Sequence, residues 1–238
     1  YPFVCCLVLL QGPLICGGPG NTVRGCRGFI QLGAGSASCL SSRASPTSPS
    51  SDSGLASLPV SAADVRLLGA VDEAMLRDFN TQLSSARQAG APIVIELMTS
   101  GGDADTARRI ALEIQLVQET EHREVYFLGK TLVYSAGMTI MASVPVDRRF
   151  AARDTVFLLH ERRLTQNVHL PGPTTANLQI VRELLSQLEC GRKLELEGYA
   201  ALIKGSSMTI DEVAARASTN WYLDAREALA HGLIAGIT

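Results

Sequence analysis

Past residue 40 the sequence has one cysteine, Cys190; the other five, Cys5, Cys6, Cys16, Cys26 and Cys39, all precede that point. A body with one thiol cannot be held by disulfides, and the N-terminal spacings form no pair of zinc-ligand knuckles. A reducing, cytoplasmic setting is the expectation. Aromatic residues are only 5% of the chain, the formal net charge is -2 and the pI is near 6.1. The basic footprint and stacking platforms of a nucleic-acid binder are therefore missing. Long apolar runs are missing too. Phe3 to Cys16 comes nearest, but Gln11, Gly12 and Pro13 interrupt it, and it is too short for a typical membrane span. No basic segment precedes it, which argues against a secretory leader. The sequence begins at Tyr1 rather than methionine, and Ser36 to Ser57 is rich in serine with glycine, alanine and proline. Residues 1–60 are accordingly expected to be a disordered or misassigned extension ending in a linker.

What is present is enough for one sizeable core: 238 residues, 46% hydrophobic and 18% charged, which predicts a single globular domain over 61–238. From about Leu67, short apolar runs alternate with amphipathic stretches, the signature of an α/β fold. Val71, Met75, Phe79, Leu83 and Ala86 recur at helical spacing, and Gly90-Ala91-Pro92 closes that helix before a buried strand, Ile93 to Leu97. The turn Met98 to Gly102 leads into a second helix, Asp103 to about Thr120, with Ala107, Ile110, Ile114 and Val117 on its apolar face. Glu124 to Leu128 reads as the next strand, ended by Gly129, and Ser135 opens an apolar helix reaching about Val144. Arg149-Phe150 and Thr155 to Leu159 form a third strand region. After a polar loop holding Pro171-Gly172-Pro173, Thr174 to about Ile203 is one long helix with Leu178, Val181, Leu185 and Leu188 in phase, an arm more than a core element. Capping boxes at Thr209 and Glu212, and at Asp224 and Glu227, open two short helices. Trp221 to Leu223 is a strand between them, and Leu233 to Ile237 is the last.

Three places carry candidate chemistry. Ser135, within Leu132-Val133-Tyr134-Ser135-Ala136-Gly137, starts a helix, where free N–H groups favour an oxyanion. His160, 25 residues further on, ends the strand after Thr155 and is the candidate base. Gly101-Gly102 follows a strand as a tight turn of the kind that aims backbone N–H groups at developing negative charge. Each has an ordinary explanation when taken alone: a helix cap, a strand-end histidine, a plain turn. Their joint order points to acyl transfer on a serine. His122, His169 and His231 fall at a helix end, in the polar loop and in a last helical turn, and Cys190 reads as a small apolar packer. No metal, organic cofactor or nucleotide motif is expected.

With these residues in view, roughly Leu67 to Ile237 resembles the proteolytic subunit of the Clp protease, within the Clp/crotonase superfamily. In that family a glycine pair after a strand, a serine opening a helix, a histidine ending a later strand and a late acidic residue build the active site. The run Trp221 to Ala228, followed by His231-Gly232-Leu233-Ile234, is similar to the family's closing strand, helix and glycine-leucine turn. The resemblance implies a superhelical α/β core of repeated βαβ units with a helical handle over about 165–207. It implies a serine-type endopeptidase forming a heptameric ring or stacked heptamers, acting on unfolded polypeptide or peptides beside an ATP-dependent unfoldase, with no nucleic acid or membrane partner. By the same resemblance Ser135 is the nucleophile, His160 the base, and the N–H groups of Gly102 and Ala136 the oxyanion hole.

The third catalytic position departs from the family: where it has aspartate, this chain has Asn220. An amide can orient the imidazole but cannot stabilise the imidazolium as a carboxylate does, and in chymotrypsin-type triads that exchange costs about four orders of magnitude. Asp211 and Asp224 are near in sequence but belong to capping boxes. Ser100 stands where the family has proline, and Glu161-Arg162-Arg163-Leu164 replaces a glycine-rich strand. Two alternatives fit these departures: a catalytically weak ring subunit supporting an active relative, or a crotonase-like acyl-CoA enzyme using the same oxyanion turn.

Overall fold

The computed structural model describes residues 62–238. The expected N-terminal extension, its serine-rich linker and the five early cysteines lie outside the described residues. Short apolar runs pair in parallel as β1 (Val65–Leu68), β2 (Ile93–Thr99) and β3 (Val125–Tyr134). Between them run α1 (Glu73–Ala89) and α2 (Ala104–Thr120). Their buried faces, Met75, Phe79, Leu83 and Ala86 on one and Ala107, Ile110, Ile114 and Val117 on the other, follow the helical period of the sequence. Asp72 and Asp103 start the two helices, each Oδ1 accepting an N–H, from Met75 at 2.9 Å and from Thr106 at 2.6 Å. β1 is not announced by an alternation that starts near Leu67, because its residues are alternately buried and exposed and leave only Val65 and Leu67 as a signal.

From β3 the ladder continues in parallel to β4 (Arg149–Ala151) and then to β7 (Gly236–Ile237). The far half of β3 pairs with β5 (Val156–Leu159), which carries β6 (Trp221–Asp224) antiparallel on its other side. Among the described residues, all seven strands form one sheet. β3 serves both neighbours because it bends: Thr131, at φ 59°, separates the residues paired with β4 from those paired with β5. The strand expected to end at Gly129 therefore runs to Tyr134. Gly129 pairs with both Leu97 and Ala151, and a Cβ there would lie 3.1 Å from Val133 and 3.3 Å from Phe127. It is a packing residue inside the strand, not a break.

The remaining helices are α3 (Ala136–Ala142), α4 (Thr174–Ile203), α5 (Ile210–Ala217) and α6 (Ala225–Ala230). α3 stops two residues short of the expected Val144. Both expected capping boxes are formed, at the starts of α5 and α6. Arg149, 1% exposed, ties the ends of the fold together. Its guanidinium donates to carbonyls of Ala142 and Val144 at the end of α3, of Ala201 and Leu202 at the end of α4, and of Leu233 before β7. These are the acceptors that helix C-termini leave open, and a cation suits both dipoles. Burial lowers its pKa to about 10.

α4 is the arm the periodicity predicts. Only Tyr199, Leu202 and Ile203 at its C-terminal end are buried, while Leu178, Val181, Leu185 and Leu188 are exposed. At 1.5 Å per residue its 30 residues span about 45 Å. Among the described residues no helix is long and apolar enough to cross a membrane.

Candidate active site

Strand register brings the candidate residues to one edge of the sheet. β3 and β5 are parallel and Tyr134 pairs with Leu158, so the residues following both strands emerge side by side. Ser135 N donates to Leu158 O at 2.8 Å, and His160 comes two residues later. β6 runs the other way and Trp221 pairs with Leu159, so Asn220, which precedes β6, arrives opposite His160. In a parallel sheet only a reversed strand can deliver its first residue to the edge where the others end.

Ser135 is held in a rare backbone conformation, φ 53° and ψ -112°, and its side chain makes no cap to α3. For a residue with a Cβ this geometry carries strain, which the bond to Leu158 and the first turn of α3 sustain. The hydroxyl is thereby held at the strand-to-helix corner instead of folding back on the helix it precedes. Gly137 lets α3 sit directly on β2, since a Cβ there would lie 2.5 Å from Thr99 Cγ2.

The glycine turn is stitched to this corner. Thr99 Oγ1, buried, accepts the N–H of Gly101 at 3.0 Å. Gly101 O accepts from Val71 N at 2.9 Å, and Val71 O accepts from Asp103 N at 2.7 Å, so both flanks of Gly102 are fixed to one residue. Gly101 has φ 98° and Gly102 φ 150°, conformations for which glycine is required. A Cβ on Gly101 would press on Ser135, 2.8 Å from its Cβ and 3.3 Å from Oγ. The N–H groups of Gly102 and Ala136 have no hydrogen-bond partner among the described residues. Two unengaged donors thus flank the serine.

His160 and Asn220 are opposed but not bonded to each other. His160 Nδ1 lies 2.6 Å from the carbonyl oxygen of Glu161. A carbonyl only accepts, so Nδ1 is the donor in this contact, which in the neutral ring leaves Nε2 as the acceptor. Asn220 Oδ1 accepts from Arg163 Nη2 at 3.2 Å. No hydrogen bond joins Ser135 Oγ to His160 among the described residues. The backbone of Asn220 also closes the end of α5: at φ 60° its N–H donates to Ala217 O at 3.1 Å, and asparagine tolerates that left-handed conformation well. Asp211 and Asp224 do not approach as substitutes; Asp224 caps α6, and Asp211 lies exposed in the first turn of α5.

A cavity of about 420 Å³ is lined by Asp103, which follows the glycine turn, and by Glu161, which follows His160. Leu164, Leu188 and Leu194 give it an apolar wall. Five of its charged side chains pair among themselves: Arg162 with Asp105 at 2.9 Å, and Arg192 with Glu195 and, at 3.7 Å, Glu161. Among the described residues no group of three or more His, Cys, Asp or Glu side chains is placed to hold a metal ion.

The family model of the Clp protease matches residues 55–238. The chain belongs to the Clp protease family. Among curated relatives, an ATP-dependent Clp protease proteolytic subunit 2 of Treponema pallidum is 25% identical over 61% of this chain and 66% of its own. One from Pseudomonas aeruginosa is 27% identical over 71% of this chain and 78% of its own. The chain thus spans just under two thirds of the first relative and about three quarters of the second. A solved structure, an asparagine-to-aspartate mutant of ClpP1 from Listeria monocytogenes, superimposes with a TM-score of 0.59 at 18% identity, over 73% of this chain and 90% of that one. At that identity the likeness is one of fold.

Within this Clp-family frame several residues that matter are not singled out by pattern. Val71 reads as the first core position of α1, yet it lies before the helix and bridges Gly102. Thr99 and Gly137 carry their roles through contacts between β2 and α3. Arg163 stands out in the sequence only as part of the run that replaces a glycine-rich strand. The signals are present only as a Thr-x-Gly turn and a Ser-x-Gly corner, too short to interpret without the fold.

Proposed function

We propose that this chain is a serine-type endopeptidase of the Clp proteolytic-subunit type, hydrolysing peptide bonds through an acyl-enzyme on Ser135. The observation that carries the reading is the serine corner: a strained Ser135 between the unengaged N–H groups of Gly102 and Ala136, with His160 leaving the neighbouring strand. Ser135 Oγ attacks the substrate carbonyl as His160 Nε2 takes its proton. The two N–H groups receive the oxyanion. His160 then returns the proton to the leaving amine, and water repeats the sequence to release the acyl group. Asn220 takes the third position, as an orienting amide without charge. The cavity beside the glycine turn receives the substrate side chain.

A homo-oligomeric ring, a heptamer or stacked heptamers, is part of the same reading, as is an ATP-dependent unfoldase that delivers unfolded polypeptide. The exposed leucines of α4 and the neighbouring Leu164, Val168 and Leu170 support assembly through the handle. The acyl-CoA alternative has no observation in its favour beyond the oxyanion turn itself. A fluorophosphonate probe followed by peptide mapping tests the proposal. Labelling at Ser135 that is lost in His160→Ala is the expected result; an intact oligomer that resists the probe would refute it.

A further inference from the structure

Asn220 and His160 face each other across the β5–β6 pair, yet each is bonded elsewhere, and both bonds lead to residues 161–163. His160 Nδ1 contacts the Glu161 carbonyl at 2.6 Å and Asn220 Oδ1 accepts from Arg163 at 3.2 Å. That segment is pinned on two further sides. Arg162 N donates to Glu195 Oε1 at 2.5 Å, and the Arg162 guanidinium meets Asp105 at 2.9 Å. The side chain of Glu195 is only 7% exposed, so the anchor is a buried carboxylate on α4. The residues just after the base are therefore a fixed strap, and the one that reaches the third catalytic position is a cation.

We propose that Arg163 is a positioning residue that competes with His160 for the amide oxygen of Asn220. This rests on the roles assigned above to Ser135 and His160. A guanidinium seated on Oδ1 works against catalysis twice. It draws the oxygen's electron density away from the imidazole N–H, and it places a positive charge beside the imidazolium that forms as Ser135 is deprotonated. The asparagine makes the contest close. A carboxylate has an oxygen for each donor and a charge to satisfy both, whereas an amide has one neutral oxygen and holds a guanidinium at an exposed site weakly. While Arg163 holds Oδ1, the Glu161 carbonyl is what keeps the His160 ring in its tautomer. When Arg163 leaves, the register of β5 and β6 places Asn220 to take over.

The test is kinetic and uses the full chain in its native assembly. Arg163→Ala should raise kcat for a fluorogenic peptide about two- to tenfold, the range that one exposed hydrogen bond corresponds to, with KM unchanged. Arg163→Lys, which keeps the charge and a donor, should stay near the parent rate. In an Asn220→Ala background the Arg163→Ala change should have no effect, and the rate of fluorophosphonate labelling at Ser135 should follow kcat throughout. A gain that persists without Asn220, an effect confined to KM, or a fall in rate overturns the proposal while Ser135 stands as nucleophile. Failure of every variant and the parent to label at Ser135 overturns both.

Discussion

Replacing Gly102 by alanine would place a methyl carbon 2.3 Å from the carbonyl oxygen of Val71 and 2.8 Å from its nitrogen. Those two atoms anchor the turn, through the bonds to Asp103 N and from Val71 N to Gly101 O. Relief of the overlap needs a separation of about 1 Å, more than a hydrogen-bonded bridge yields without breaking. The φ of 150° adds about 1–3 kcal/mol for any residue other than glycine. The turn should therefore swing out, carrying the residue 102 N–H away from the oxyanion. Loss of one such donor costs about 10²–10³ in kcat. Steady-state hydrolysis of a fluorogenic peptide and thermal melting, measured on the same preparation, check this. Val71→Ala is the control, since it keeps both backbone bonds and loses only packing: its melting point should fall by the equivalent of about 2 kcal/mol with kcat little changed. Should Gly102→Ala melt lower but keep kcat within about threefold, far short of the loss expected for a missing donor, the residue 102 N–H does not hold the oxyanion.

The other predictions follow from single contacts. Ser135→Ala should abolish peptide cleavage and probe labelling with the native mass unchanged; residual cleavage at the parent rate would refute the nucleophile. Asn220→Asp should raise kcat/KM by about tenfold or more, toward the roughly 10⁴-fold that the converse exchange costs in chymotrypsin-type triads; a fall would mean that residue 220 serves the end of α5 alone. Arg149→Met removes the donor shared by five carbonyls at the ends of α3, α4 and the last loop and should lower stability by about 3 kcal/mol or more, read by urea unfolding; an unchanged midpoint would show the acceptors to be satisfied elsewhere. Leu185→Glu, on the exposed stripe of α4, should shift the native mass to smaller species; an intact assembly would remove that stripe from the interface.

Local patterns made much of this fold legible. α1, α2 and α4 declare themselves through apolar spacing, and the boxes at Thr209 and Asp224 mark their helix starts to the residue, because capping is a matter of three consecutive peptides. The order of glycine pair, serine and histidine is readable for the same reason: each sits at the junction of a strand with a turn or helix. What failed depended on distant partners. Gly129 looks like a stop until Leu97 and Ala151 are known to flank it. Val71 looks helical until its bridge to Gly102 is seen. Asn220 stands out in sequence only as a missing aspartate; its left-handed backbone and its bond to Arg163 belong to the meeting of α5 with the segment after β5.

The handle has a consequence for the life of a single subunit. The sheet and its helices close around their core using only the last turns of α4, and Leu178, Val181, Leu185 and Leu188 are left exposed. An isolated helix of that kind gains little from its own propensity in water. In the proposed ring, where another copy would cover the arm, its order would depend on subunit concentration. A dilute or orphaned copy would keep a finished body while its arm frays into a segment open to other proteases. Surplus subunits would then be the ones removed first, and supply would be matched to assembly without any separate sensor.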